Sequence, residues 1–339
     1  MASPLQPNSQ RNFRKRGSIG SIIVLLVLIM ASVLVWWNRQ FLVDLAAYWH
    51  YQPTESVVAI TNRNQLTDDG KFIFYASQPS VDGKATFNQV CERKEANTAI
   101  LGCYSGAKIY LYNVTDTKLD GIKEVTAAHE MLHAVYERLS PTEKKKIDGL
   151  VEAEYEKLKS NADYAERMAF YDRTEPGERD NELHSIIGTE VSSISPELEA
   201  HYAKYFKDRS KVVNLFTSYS ATFKDLENQA KVLSAELDSI NTELKESSQQ
   251  YEVDVKQLNS DIAIFNDKAA NRGFTSQQAF DRERQALLNR VSNVSSEHNT
   301  VNDLVKRYNI LVNQLNGIVT QSNSLYKSID STLAPAPQV

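Results

Sequence analysis

Two histidines and a glutamate in the stretch His129-Glu130-Met131-Leu132-His133 form the strongest chemical pattern in this chain. On an α-helix, residues i and i+4 lie on one face, so both imidazoles can bind a single Zn²⁺ ion. Glu130 stands beside them, where its carboxylate can take a proton from a metal-bound water. The alternative is a helix that merely carries two surface histidines and a glutamate. Because catalytic zinc needs three protein ligands and one open position, the pattern predicts a third ligand elsewhere.

Candidates for the third ligand follow the turn Glu175-Pro176-Gly177. They are Glu182, His184 and Glu190. Around a helix, Glu190 lies roughly 80° from Glu182 and His184 about 160° away. On ligand chemistry Glu182 is the preferred ligand, with Glu190 and then His184 as alternatives. If the stretch is helical, His184 should not share a metal with Glu182. Each glutamate also has a plainer interpretation as a solvated helix residue.

This combination resembles the gluzincin class of zinc metallopeptidases, in which a glutamate from a later helix completes an HExxH site. Glu182 is preceded by Asn181, as in some of these enzymes, and Ser185 supplies the small residue at the third position after the ligand. The resemblance covers residues 108–206. The chain also resembles a group of bacterial membrane-anchored proteins that carry HEMLH-like and ELHSIIGTE-like strings.

One position departs from the gluzincin pattern. The class often has an acidic residue four positions after the ligand, and here that position is Ile186. Support for the ligands is therefore expected from Glu178 or Thr189. Gly188, six residues after Glu182, is a second small residue where two helices can pack closely.

The parts of the site predict a hydrolytic mechanism. Zinc lowers the pKa of its bound water toward about 7 and polarises a scissile carbonyl. Glu130 then acts as general base and later delivers the proton to the leaving amine. Tyr171, His201 and Tyr202 are possible donors to the oxyanion, or else packing residues. The strand near Lys108–Tyr112 could pair with an extended peptide substrate.

Hydrophobic spacing predicts the elements that position these residues. The HExxH helix has a buried stripe at Val125, Ala128, Leu132, Val135 and Leu139. A further helix begins at the capping box Ser140–Glu143. Residues 54–63 suit a short helix, and two aromatic runs, Phe72–Tyr75 and Lys108–Tyr112, suit strands. The expected fold class is α+β, mainly α, with a small zincin-like domain and a short sheet over residues 39–210.

The segment Ile19–Trp37 is apolar and uncharged, and long enough to span a hydrocarbon layer of about 30 Å. We expect an uncleaved transmembrane anchor over 19–38, preceded by a basic tail at 1–18. Because four basic residues precede the segment, the tail should be cytoplasmic and the rest of the chain extracytoplasmic. A cleaved signal peptide is the alternative, although no clean cleavage site follows.

Cys91 and Cys103 are the only cysteines. Outside the cytoplasm such a pair usually forms a disulfide, so we expect a structural bridge within hairpin-like sequence. A two-cysteine zinc site is the weaker alternative, because neither cysteine has a histidine at ligand spacing.

Residues 211–331 carry two heptad series, separated by the turn signals at 271–276. They predict an antiparallel coiled-coil hairpin in which Phe265 faces Phe280. The same register sets His298 opposite Ser247 and Ser248, as a polar layer that fixes alignment. Residues 332–339 form a tail.

Two classes of function fit these observations. The first is a membrane-anchored extracytoplasmic zinc metallopeptidase that acts on peptides or proteins, with the hairpin as an arm for a protein partner. The second is a structural or regulatory coiled-coil protein of the cell envelope whose HExxH domain is inactive or binds zinc only for stability. The net charge of −5 gives no reason to expect nucleic-acid binding.

Overall fold

The computed structural model describes residues 18–92 and 99–331, with side chains from residue 22. It is mostly helical with a small three-stranded sheet, which confirms the α+β, mainly α, prediction in this coarse form. The helices are α1 Ser18–Trp37, α2 Arg39–His50, α3 Glu55–Arg63, α4 Asp68–Ala76, α5 Lys84–Val90, α6 Ile122–Arg138, α7 Pro141–Leu158, α8 Ala162–Thr174, α9 Arg179–Glu190, α10 Pro196–Tyr202, α11 Ser210–Ala270 and α12 Gln277–Ile329. The strands are β1 Ser80–Asp82, β2 Gly102–Ser105 and β3 Lys108–Tyr112. The predicted tail at 332–339 lies outside the described residues, as does the predicted tail at 1–18 except for Ser18, which begins α1.

The described chain divides into two compact units. One contains the residues up to 92, Gly102–Leu111 and Glu124–Val213, and thus most of the HExxH helix α6. The other contains 99–101, Tyr112–Lys123 and 214–331, and thus the two long helices from residue 214 onward. The sequence predicts one boundary between the zincin-like domain and the hairpin, at residue 210.

The aromatic run Phe72–Tyr75 is helical, so its prediction as a strand is wrong. It belongs to α4, whose N-terminus is capped by the Thr67 hydroxyl, which accepts a hydrogen bond from the Gly70 amide at 3.1 Å. Two aspartates in the first turn, Asp68 and Asp69, also stabilise the helix by interacting with the positive end of its dipole. Capping and packing therefore override the β propensity of the aromatic residues. The short helix predicted at 54–63 is confirmed as α3.

The sheet has the strand order β1-β3-β2. Lys108–Tyr112 is thus confirmed as a strand, but it is the central one, and the predicted pairing of this strand with a peptide substrate is wrong because both its edges are occupied. β2 and β3 are antiparallel with Cys103 opposite Tyr110. They are joined by Gly106 and Ala107, both at positive φ, as a two-residue hairpin turn requires.

The disulfide between Cys91 and Cys103 is confirmed. It differs from the expected hairpin bridge in one respect. Cys91 ends helix α5 and Cys103 lies in β2, so the bond ties a helix to a strand. β2 is thereby fixed from both sides, by the disulfide and by its pairing with β3.

α6 and α9 are the two helices that matter most for the predicted site, and they pack closely. Every residue of α9 from Glu182 to Thr189 is buried. Gly188 makes this approach possible, because a Cβ there would lie 2.4 Å from Leu132 Cδ1 of α6 and 2.8 Å from Tyr202 Cε1. The small residues noted in the sequence therefore do permit close helix packing.

In the second unit, α11 and α12 end and begin on either side of the predicted turn at 271–276. The rings of Phe265 and Phe280 lie 5.1 Å apart, as the predicted register requires. Farther along, Ile240 packs with Leu304 and Leu311.

His298 does not form the predicted buried polar layer. Its side chain is exposed, and its ring lies 5.6 Å from that of Tyr251, one turn beyond Ser247 and Ser248. Ion pairs such as Arg290–Asp261 and Lys268–Glu283, together with the apolar contacts, join the two helices in this half of the hairpin.

None of the described helices is by itself long and apolar enough to cross a membrane. The residues Ile22–Trp37 of α1 and helix α2 meet that criterion as a pair, with a bend of 65° between them.

Replacement of Gly188 by alanine should loosen the packing of α9 on α6. The added methyl overlaps a leucine and an aromatic ring, and such overpacking typically costs about 1–3 kcal/mol. Hydrogen exchange of the α6 amides should become faster. The matched control is Gly149→Ala in α7, where a Cβ meets nothing within 4 Å and the substitution should stabilise by about 0.5–1 kcal/mol. Equal behaviour of the two variants would contradict the packing argument.

Candidate metal centre

Three side chains from two helices converge on one point. His129 and His133 lie one turn apart on α6, and Glu182 reaches them from α9. His129 Nε2 is 3.5 Å from Glu182 Oε2, and His133 Nε2 is 3.5 Å from Glu182 Oε1. The ligand atoms of all three residues lie within 4.8 Å of one another. The predicted set His129, His133 and Glu182 is therefore brought together by the fold.

The donor set fits a zinc ion. Ligand atoms at tetrahedral angles and about 2.0–2.1 Å from zinc lie about 3.3 Å apart, and each histidine Nε2 lies 3.5 Å from one of the two Glu182 oxygens. Glu182 Oε2 is buried and has no hydrogen-bond partner among the described residues, as expected of an atom whose partner is a cation. The side chains of His133 and Glu182 are 10% and 6% exposed and that of His129 is 17%, so the approach from solvent lies on the His129 side.

His133 is oriented by a chain of hydrogen bonds. Its Nδ1 lies 3.0 Å from Oδ1 of Asn181, and Nδ2 of Asn181 donates to Oε2 of Glu178 at 2.9 Å. This places the His133 proton on Nδ1 and leaves Nε2 free to bind a metal. Glu178, one of the two residues expected to replace the missing acidic residue, therefore acts through Asn181. Thr189, the other, donates its hydroxyl proton to the Ser185 carbonyl within α9 instead.

Glu130 lies on the same helix, almost completely buried. Burial raises its pKa to about 7; His133 opposes this effect, while Glu182 and Glu175 add to it. The backbone N–H of Tyr104 in β2 interacts with the carboxylate and favours the ionised form. A carboxylate with a pKa near neutrality can both accept and release a proton at physiological pH.

Tyr171 is the candidate oxyanion donor that reaches this site. Burial would raise the pKa of Glu182, but His133, His129 and the Tyr171 hydroxyl outweigh it, and the pKa is lowered. The pKa of Tyr171 itself is raised well above its ordinary value, first by burial and then by the charge of Glu182. Tyr171 therefore stays protonated beside the ligand carboxylate.

The alternative third ligands are engaged elsewhere. Both oxygens of Glu190 accept from Nη1 of Arg167, at 2.6 and 2.5 Å, which corrects its place as the alternative ligand. His184 is fully buried on the opposite side of α9, and its Nε2 lies 2.8 Å from Nε2 of His201. Of the three candidates, Glu182 is the one that lies with His129 and His133 in a group that could hold a metal ion.

His201 and Tyr202 do not join the ligand set. His201 pairs with His184, and the Tyr202 hydroxyl donates to the backbone carbonyl of His184 at 2.7 Å. Both side chains are buried in this cluster, so their proposed role as oxyanion donors is replaced by a packing role.

The structure adds two residues of β2 that the sequence analysis did not select. A Cβ on Gly102 would lie 2.8 Å from Oε1 of Glu130, so only glycine lets the strand approach the base this closely. Tyr104 provides the amide described above, and its hydroxyl donates to Glu137 at 2.8 Å. The signal in the sequence was an isolated glycine at the start of a strand, which often marks close backbone approach.

Removal of the Asn181 side chain should weaken zinc binding. Asn181→Ala takes away the acceptor for His133 Nδ1, and loss of such a partner typically costs 10–100-fold in metal affinity. Competition with a chelator of known affinity measures this change. Asn181→Asp keeps an acceptor oxygen and should stay close to wild type. If both variants bind zinc like the wild type, the orienting role of Asn181 is wrong.

The His201 environment predicts a loss of stability in acid. Its pKa is lowered to about 4, first by burial and then by the charge of Lys204. In the unfolded chain, histidine titrates near 6.5, so between pH 6.5 and 4 the unfolded chain binds a proton that the folded chain does not. The free energy of unfolding should fall over this window by up to about 1.4 kcal/mol per pH unit from this residue, and its contribution is complete above pH 6.5.

Urea unfolding of zinc-free protein at a series of pH values tests this dependence. The control is His201→Gln, which cannot be protonated and should show a shallower slope between pH 6.5 and 4. Identical slopes would show that His201 is not held neutral by the fold.

Comparison of the chain with protein-family models, with curated protein sequences and with solved structures gives no match in any of the three. The function of this site is therefore inferred from its own residues and their geometry.

Proposed function

We propose that this protein is a membrane-anchored, extracytoplasmic zinc metallopeptidase that hydrolyses peptide bonds. The observation that carries the proposal is the convergence of His129, His133 and Glu182 beside a buried Glu130. Two imidazoles and a carboxylate are the ligand set of one common class of catalytic zinc site.

The chain's own residues have distinct roles in this proposal. When bound, zinc supplies an acidified water and polarises the scissile carbonyl. Glu130 takes the proton from the attacking water, since its carboxylate is buried beside the ligand group. It then delivers that proton to the amine that leaves. The Tyr171 hydroxyl, which is protonated and interacts with Glu182, is proposed to donate instead to the oxyanion.

The same ligand set argues against zinc that only stabilises the fold. Structural zinc usually has four protein ligands, often cysteines, whereas the group found among the described residues has three members. Both cysteines are consumed by the disulfide. A structural site also has no use for a buried carboxylate of raised pKa beside its ligands.

The proposed membrane anchor is supported by α1, and the proposed extracytoplasmic location is supported by the disulfide. From Ile22 to Trp37 the α1 side chains are exposed, and none carries a charge. Such a surface is stable in lipid and not in water. A disulfide persists in oxidising compartments, which agrees with an extracytoplasmic location for the unit that holds the site. The helical pair α11 and α12 is proposed to serve as an arm that docks a protein partner.

Metal analysis of the purified full chain in detergent tests the ligand assignment. Glu182→Ala should lose bound zinc, because it removes the only carboxylate in the set. Glu190→Ala is the matched control on the same helix and should retain zinc, since Glu190 pairs with Arg167. Zinc loss in the control and not in Glu182→Ala would reverse the assignment.

Substitution of the base tests the catalytic role. Glu130→Gln keeps the size of the side chain but cannot accept the proton, so it should retain zinc while peptidase activity falls by at least about 100-fold. Activity is followed with unfolded protein substrates, against wild type treated with a chelator. Full activity in Glu130→Gln would refute Glu130 as the base, and an inactive wild type with bound zinc would refute the peptidase proposal.

A further inference from the structure

Helix α2 has an apolar stripe on its outer face. Its outward stripe consists of Leu42, Val43, Ala46 and Trp49, of which Leu42 is 43%, Val43 61% and Trp49 78% exposed. Its only acidic residue, Asp44, points inward and is 5% exposed. A helix packed on a water-soluble protein normally has polar and charged residues on its outer face.

The orientation of α2 is fixed by specific contacts on its inner face. Asp44 accepts two hydrogen bonds from Arg138, at 2.9 Å from Nε and 2.7 Å from Nη2. The rings of Phe41 and Tyr48 both pack against Phe72 of α4. A buried, bidentate ion pair is strongly directional, so the apolar stripe cannot be turned inward without breaking it.

The exposed stripe continues the exposed apolar surface of α1. Only Asn38 separates the two helices, and the chain bends there by 65°. If α1 crosses a bilayer near its normal, a bend of this size brings α2 toward the membrane plane. Trp36, Trp37 and Trp49 then lie near the boundary between lipid and water, which tryptophan prefers.

We propose that α2 lies in the lipid–water interface, with Leu42, Val43 and Trp49 embedded, and holds the metal centre beside the membrane surface. The proposal rests on the anchor in the proposed function and deepens it. An amphipathic helix of this kind buries its apolar face about 5–10 Å into the boundary of headgroups and acyl chains.

The metal centre is attached to α2 through the Asp44 ion pair. Arg138 is the last residue of α6, eight residues after Glu130, which corresponds to about 12 Å along the helix. Nη1 of Arg138 also lies 3.2 Å from the Tyr104 hydroxyl on β2, the strand that covers Glu130. Arg138 of α6 is thus bonded both to the proposed interfacial helix and to strand β2. The substrates expected from this arrangement are polypeptide segments that lie close to a bilayer.

Tryptophan fluorescence of the full chain tests the position of α2. The chain has three tryptophans, so the double variant Trp36→Phe/Trp37→Phe leaves Trp49 as the only reporter. In phosphatidylcholine vesicles whose acyl chains are brominated near the glycerol end, Trp49 emission should be blue-shifted and quenched. Aqueous iodide should quench it little.

Two substitutions in that background provide the comparison. Leu42→Asp/Val43→Asp should shift Trp49 emission to the red and abolish quenching by brominated lipid, while bound zinc is unchanged. Val58→Asp in α3 also replaces an exposed apolar residue, 38% exposed, and should leave the quenching as it was.

Flotation of the same vesicles separates the two proposals. A chain that floats with Trp49 quenched by lipid supports the inference. A chain that floats with Trp49 open to iodide overturns it and leaves the α1 anchor standing. A chain that does not float overturns both the anchor and the interfacial helix, but does not affect the zinc measurements.

Discussion

The buried carboxylate of Glu182 is the constraint on which the rest of the metal-binding unit depends. A charged group away from water is costly unless it is paired, and one of its oxygens has no hydrogen-bond partner among the described residues. Two imidazoles at 3.5 Å and a nearby tyrosine hydroxyl lower its pKa, and a divalent cation would complete the pairing. This arrangement requires α9 to lie directly against α6. Gly188 and the burial of every α9 residue from Glu182 to Thr189 follow from that requirement.

The surroundings of the ligands show how a missing residue can be replaced. Ile186 stands where gluzincins often have an acidic side chain, and the orientation of His133 is instead set by Asn181, which is held by Glu178. On the other side of α6, strand β2 closes over Glu130. Its position is determined by the disulfide at Cys103 and by the approach that Gly102 permits. Glu130 is buried because strand β2 covers it, and burial is the largest cause of its raised pKa.

Sequence periodicity and local chemistry predicted much of this structure. The HExxH spacing placed both histidines on one helix, and Glu182, preferred for its ligand chemistry, lies beside them. The prediction failed where tertiary contacts outweigh local preference. Phe72–Tyr75 is aromatic enough for a strand, but the Thr67 cap and the contacts of Phe72 with α2 make it helical. The choice between Glu182 and Glu190 also depended on Arg167, whose distance from α9 no sequence pattern reports.

The outward-facing apolar stripe of α2 cannot be recognised from the sequence for the same reason. RQFLVDLAAYWH has apolar residues on several sides of the helix, and its inner face is decided by Arg138, 94 residues away from Asp44. Once that ion pair is formed, the remaining apolar stripe must face outward. The same arginine ends the helix that carries His129, Glu130 and His133. A single buried ion pair therefore fixes both the outward face of α2 and its attachment to the metal centre, so the proposed membrane contact and the proposed chemistry depend on one interaction.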